Sequence, residues 1–195
     1  KKVSEKPKPP TGDLQKDYGD VVAPLESFLS KNSNTQAAGE AALILASLYQ
    51  EYDQKQKAVD SLKKVEAQLT TGTLIGDLVK MKLGDLHSEL DQCKEAVAPW
   101  QKLASGEGFL KEESILKIGL CHQKLGQLSD AKVWYQKITD VTIPEGKDDK
   151  RDQQIVNSAR KYLKFLKFQE KIGSQAPAKV DPVKDVSAGE ATGDS

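Results

Sequence analysis

Three blocks of the chain superpose on one another in phase, and a chain of this length that repeats itself has few ways to bury a core. The first block runs Leu45-Ala46-Ser47-Leu48-Tyr49, then Asp53, Ala58, Leu62 and Val65. The second runs Leu83-Gly84-Asp85-Leu86-His87, then Asp91, Ala96, Trp100 and Leu103. The third runs Ile118-Gly119-Leu120-Cys121-His122, then Gly126, Ala131, Tyr135 and Ile138. Two sets of small residues, Ala46/Gly84/Gly119 and Ala58/Ala96/Ala131, both shift by 38 and then 35 residues. Each block has room for two helices. A small side chain on each helix lets the two backbones approach while larger neighbours interlock between blocks.

Between residues 12 and 172 the apolar positions recur at three- and four-residue spacing, without the alternation of a half-buried strand, so the chain reads as all-α. Leu14, Tyr18, Val21, Val22, Leu25, Phe28 and Leu29 form one stripe ahead of the repeats. Ile155, Ala159, Tyr162, Leu163 and Leu166 form another behind them. Pro24 and Pro99 sit in matching segments, Val22-Ala23-Pro24-Leu25 and Val97-Ala98-Pro99-Trp100, and predict helices that bend or start late.

These blocks resemble the tetratricopeptide (TPR) family, although the aromatic that often opens the family's first helix is replaced by Ala42, Lys80 and Ile115. The resemblance implies a right-handed superhelix of antiparallel helical hairpins. The repeats would span about 36–70, 74–108 and 111–143, with an N-terminal lead helix and a capping helix over about 150–173. The domain is then 12–173, flanked by a basic, Pro-rich linker over 1–11 and a disordered polar tail over 174–195.

Composition removes several functions. Among 195 residues, 29 Lys+Arg balance 29 Asp+Glu, so the broad positive field behind non-specific nucleic-acid binding is missing. The longest apolar run, Ala41 to Ala46, is far short of a membrane span. Cys93 and Cys121 are too few for a disulfide framework and are expected to be small buried side chains. A single bridge is the alternative, favoured if the chain is exported.

His87 and His122 hold the slot that Tyr49 holds in the first block, which predicts packing with a hydrogen bond rather than catalysis. Cys121 and His122 are adjacent and diverge on a helix, so zinc ligation by Cys93, Cys121 and the histidines is not expected. The acid pairs Glu112-Glu113 and Asp148-Asp149 read as solvated helix starts and turns. No enzyme activity, metal or cofactor is predicted.

The TPR resemblance places the partner groove on the first helix of each repeat, at Leu43 and Gln50, then Leu78, Met81, Asp85 and Glu89, then Leu116, Leu120 and Gln123. An apolar groove with an adaptable methionine and an acidic rim suits a helix or extended segment carrying apolar and basic residues. The chain's own flanking helices are the alternative cover. Phe165 and Phe168, with Ile172, lie opposite the packing stripe of the last helix and form a second candidate surface, set among lysines.

The expected role is therefore a non-catalytic protein–protein interaction module, an adaptor or chaperone-like scaffold whose partner is a protein or peptide. The rival readings are a structural protein that forms a homodimer through the capping helix and an accessory subunit of an enzyme complex. The chain opens on Lys1 rather than Met, and its layout resembles bacterial envelope proteins similar to the TPR-like ancillary subunit of the Sec translocon. That resemblance implies a membrane anchor upstream of Lys1 and a periplasmic setting, with a cytoplasmic one as the alternative.

Overall fold

The computed structural model describes residues 11–143, 145 and 148–175, and in them the chain is all helix. Of the linker expected over 1–11 and the tail expected over 174–195, residues 1–10 and 176–195 lie outside the described residues, while 174 and 175 belong to the last helix. Several helices begin where a polar side chain meets free backbone N–H groups. Asp13 accepts from Gln15 and Lys16 N–H to open α1 (Leu14–Asn32). Thr35 accepts from Ala38 N–H to open α2 (Gln36–Glu51), and Thr73 from Gly76 N–H to open α4 (Leu74–Glu89). Around them lie α3 (Lys55–Glu66), α5 (Cys93–Ala104), α6 (Lys111–Lys124), α7 (Leu128–Thr139) and α8 (Gln153–Gln175).

The pairs α2/α3, α4/α5 and α6/α7 are tight hairpins, stacked in chain order, with α1 at one end and α8 packed on α7 and α6 at the other. The architecture is a helical-repeat superhelix. All three hairpins turn the same way: Gln54, Gln92 and Gln127 N–H each reach back to a carbonyl of the preceding helix, on Tyr49, His87 and His122, at 2.7–2.9 Å. Those closures need a left-handed residue just past the helix, and Asp53 (φ 55), Asp91 (φ 60) and Gly126 (φ 74) supply it.

The repeat positions form the core. Leu45, Leu83 and Ile118 are at most 4 % exposed, and Ala58, Ala96 and Ala131 are wholly buried. So are their large counterparts Leu62, Trp100 and Tyr135. Each hairpin turns a small residue of its first helix toward a large one of its second, which brings the helix axes close and leaves the remaining apolar positions to bind the next hairpin.

Three expectations are corrected. Cys93 and Cys121 are not free thiols: they form a disulfide, Cα to Cα 5.2 Å, that ties α5 of one hairpin to α6 of the next. The lead stripe is too wide, since α1 buries only Leu14, Val22 and Leu29 and leaves Tyr18, Val21 and Phe28 more than a third exposed. A terminal helix has neighbours on one side only, so it cannot bury so broad a stripe. The proline expectation also shifts: α1 does break, but at Tyr18 (φ −139, ψ 19), upstream of Pro24. Pro99 lies within α5, which already begins at Cys93.

The Asp148-Asp149 stretch is more than a solvated turn. Asp149 holds the Arg151 guanidinium at 2.6 and 2.7 Å and aims it at the Ile138 carbonyl, 2.5 Å away at the end of α7. A cation on the last carbonyls of α7 both satisfies an orphan acceptor and complements the helix dipole. The Arg151 side chain also holds the Asp149 carboxyl far below the ordinary carboxylate range.

Candidate partner-binding face

The first helices of the hairpins and α8 line one face of the stack, and polar side chains run across it from helix to helix. Gln50 Nε2 on α2 donates to both oxygens of Glu89 on α4, at 2.8 and 2.9 Å, and its Oε1 accepts from Lys82. Lys55 pairs with Glu89 at 3.2 Å. One step on, Lys117 of α6 lies 2.9 Å from Asp85 of α4 and 3.4 Å from Glu113 of its own helix. Lys124 of α6 reaches Asp91.

This corrects the expected acidic rim. Asp85 is matched to Lys117 and Glu89 to Lys55, and the Asp85–Lys117 and Gln50–Glu89 contacts act as struts between consecutive first helices. Lys117 shows the balance: partial burial alone would lower its pKa, but the Asp85 and Glu113 carboxylates outweigh this and raise it. It stays charged, with its ammonium 5.8 Å from the Trp100 ring centre.

The predicted apolar positions divide. Met81 is only 7 % exposed and belongs to the core cluster of the second hairpin, so it is not presented to a partner. Leu43, Leu78, Leu116 and Leu120 are half-buried, each leaning on a core cluster with part of its surface left open. Gln123 accepts from the Tyr135 hydroxyl at 3.0 Å, a contact within the third hairpin.

Two adjoining clefts remain open on this face. One, of about 280 Å³, is lined by Asp85, Ser88, Glu89, Trp100, Lys117 and Leu120. The other, of about 370 Å³, lies between α6 and α8 and includes Glu113, Leu116, Gln154, Ile155 and Ser158. Lys117 and Leu120 belong to both, so the clefts join across α6. Sequence reasoning missed Lys117, whose signal was the Glu113-to-Lys117 spacing on one helix face. It also missed Gln154 and Ser158, because no pattern in the chain states where α8 docks. A larger cleft, of about 860 Å³, separates the starts of α6 and α8 from the end of α7, with Phe109, Val141 and Arg151 among its walls.

The histidines are structural. Each closes its own turn through Nδ1, His87 to Gln92 Oε1 and His122 to Gln127 Oε1, both at 2.7 Å. Both cysteine sulfurs are spent on the bridge, and among the described residues no group of three or more His, Cys, Asp or Glu is placed to hold a metal.

At the C-terminal end, Phe165 is 46 %, Phe168 61 % and Ile172 54 % exposed, on the side of α8 turned away from α7. Leu166 is the last buried residue of the helix, and every residue from 167 to 172 is exposed.

No protein-family model matches the sequence, and no curated protein does. Among solved structures, two of MamA, a TPR-like helical protein, are similar. One has 20 % identity and a TM-score of 0.51, covering 86 % of this chain and 99 % of that one. The other has 20 % identity and a TM-score of 0.49, covering 88 % and 94 %. The fold of this chain is thus similar to that of MamA, a TPR-like stack of helical hairpins.

Proposed function

We propose that the protein is a non-catalytic scaffold that docks partner proteins along the face built by α2, α4, α6 and α8. The observation that carries this reading is the pair of joined clefts around Lys117 and Leu120, where half-buried leucines sit beside a fixed ion pair. Apolar area there can anchor a helix or an extended segment, and the Asp85–Lys117 pair can set its register. Hairpins stacked in this way curl, and their first helices line the concave side.

The setting we propose is the cell envelope, outside the reducing cytoplasm. The Cys93–Cys121 disulfide supports it, since such bridges persist in oxidising compartments.

Site-specific photo-crosslinkers at Gln154 and Ser158, with one on exposed Lys63 of α3 as the control, test the docking face in the native host. Capture of the same protein from both cleft positions and not from Lys63 supports the reading. Capture from Ser158 must disappear when Glu113→Arg and Gln154→Arg fill the cleft. Equal capture from all three positions, or none, sinks it.

A further inference from the structure

The projecting end of α8 has a chemistry different from that of the clefts. Leu166 is the last buried residue of the helix, and 167–172 are all exposed, with the Glu170–Lys132 ion pair tying this stretch back to α7. Lys161, Phe165, Phe168 and Ile172 recur at three- and four-residue spacing and therefore lie above one another along a single stripe. Arg160, Lys164 and Lys167, all exposed, follow one flank of it. Glu170 is the helix's one carboxylate before Gly173, and it faces away, 3.2 Å from Lys132 of α7. The exposed half of this helix thus presents two aromatics, an isoleucine and a row of cations, with no acid among them.

We infer that this end of α8 seats on an anionic lipid surface, with Phe165, Phe168 and Ile172 entering the headgroup boundary and Lys161, Lys164 and Lys167 meeting the phosphates. Charge decides against a second copy as the occupant: pairing two such faces sets lysine against lysine with no carboxylate to answer. Residue type decides against a protein partner, because lysine is depleted at protein interfaces, whereas helices with phenylalanine on one side and lysine beside it are the kind that lie in a bilayer interface. The attachment is peripheral, as no helix among the described residues is long and apolar enough to cross a membrane. It is independent of the cleft reading, and lipid binding through Phe168 and crosslinking through Ser158 are scored separately.

The test is co-sedimentation of the full chain with phosphatidylcholine vesicles and with vesicles of phosphatidylcholine mixed with phosphatidylglycerol. Binding to the mixed vesicles should be at least about tenfold tighter, since each basic residue near an anionic surface contributes to the attraction, and it should weaken in salt. Phe165→Ser/Phe168→Ser and Lys161→Gln/Lys164→Gln should each lose about tenfold in affinity. These positions are exposed, so helicity and thermal midpoint should stay put. Equal binding to both vesicle types overturns the assignment, as does no binding or full retention by the serine variant. Sedimentation velocity supplies the remaining outcome: a dimer that the serine variant abolishes, without vesicle binding, assigns the face to a second copy instead.

Discussion

The Cβ that Gly84 lacks would fall 2.3 Å from Nε1 of Trp100, so the indole fills the space a side chain at 84 would need. The next hairpin repeats the relationship, with a Cβ on Gly119 falling 2.4 Å from the Tyr135 ring. In the first hairpin the same two positions are Ala46 and Leu62, both wholly buried. Residue size is therefore traded across each hairpin: where the second helix carries an aromatic the first carries glycine, and where it carries leucine the first can keep a methyl.

Gly84→Ala should destabilise the protein by about 1–3 kcal/mol, the usual cost of forcing an extra carbon into a packed core. Trp100→Leu alone should cost about 2 kcal/mol or more through the space it leaves, even though the buried Nε1 it removes has no acceptor among protein atoms. Together the two changes rebuild the Ala/Leu pair of the first hairpin. Their combined cost in urea denaturation should fall short of the sum by at least about 1 kcal/mol. Strict additivity would mean that the hairpin does not hold this trade.

The bridge between Cys93 and Cys121 closes a loop with a sequence separation of 28. Chain-entropy arithmetic for a loop of that size gives about 3.5 kcal/mol. The Cys93→Ser/Cys121→Ser protein should thus unfold at clearly lower urea than the oxidised wild type, and excess dithiothreitol should bring the wild type down to match it. Two thiols titrated in the unreduced, denatured protein would refute the bridge.

Repeat phase, helix pairing and the buried small residues were legible because they depend on spacing alone: Ala58, Ala96 and Ala131 announce three close helix contacts in any TPR-like stack. What was not legible depends on which side chains meet across elements distant in sequence. Cys93 and Cys121 bridge only because α5 lies against α6, and nothing in the residues between them states that distance. Asp85 and Glu89 read as a free acidic rim because their lysines, Lys117 and Lys55, are on other helices. Met81 met the groove spacing yet faces inward, since one helical position separates a groove-lining side chain from a core one.

The three turn residues make a graded series. Gly126 adopts φ 74 at no steric cost, whereas Asp53 and Asp91 hold φ 55 and 60 with a Cβ present. Gly126→Asp should therefore cost less than about 1 kcal/mol, and Gly126→Val, branched at Cβ, about 2 kcal/mol. Asp53→Gly should be close to neutral, with relief of strain offset by the greater freedom of glycine in the unfolded chain. Thermal midpoints of the three variants check the order, and a valine as stable as the aspartate would contradict the left-handed geometry.

The Asp149–Arg151–Ile138 connection gives the chain an acid-sensitive contact at the α7/α8 junction. Hydrogen bonds from the Arg151 side chain hold the Asp149 carboxyl well below the ordinary carboxylate range when folded, while in the unfolded chain it titrates near the usual value of about 4. A carboxylate whose folded pKa is depressed contributes its full stabilisation above the unfolded pKa. It loses that contribution as pH falls from there through the folded pKa. Asp149→Asn cannot titrate, so its stability deficit relative to wild type should be constant from neutral pH to about pH 5 and shrink progressively below about pH 4. Paired urea titrations of the two proteins across that range measure the difference directly. Arg151→Gln should give a deficit with the same acid dependence, because it removes the cation that lowers the Asp149 pKa. A deficit that persists unchanged at low pH would mean that Asp149 acts only as a neutral hydrogen-bond acceptor for Arg151.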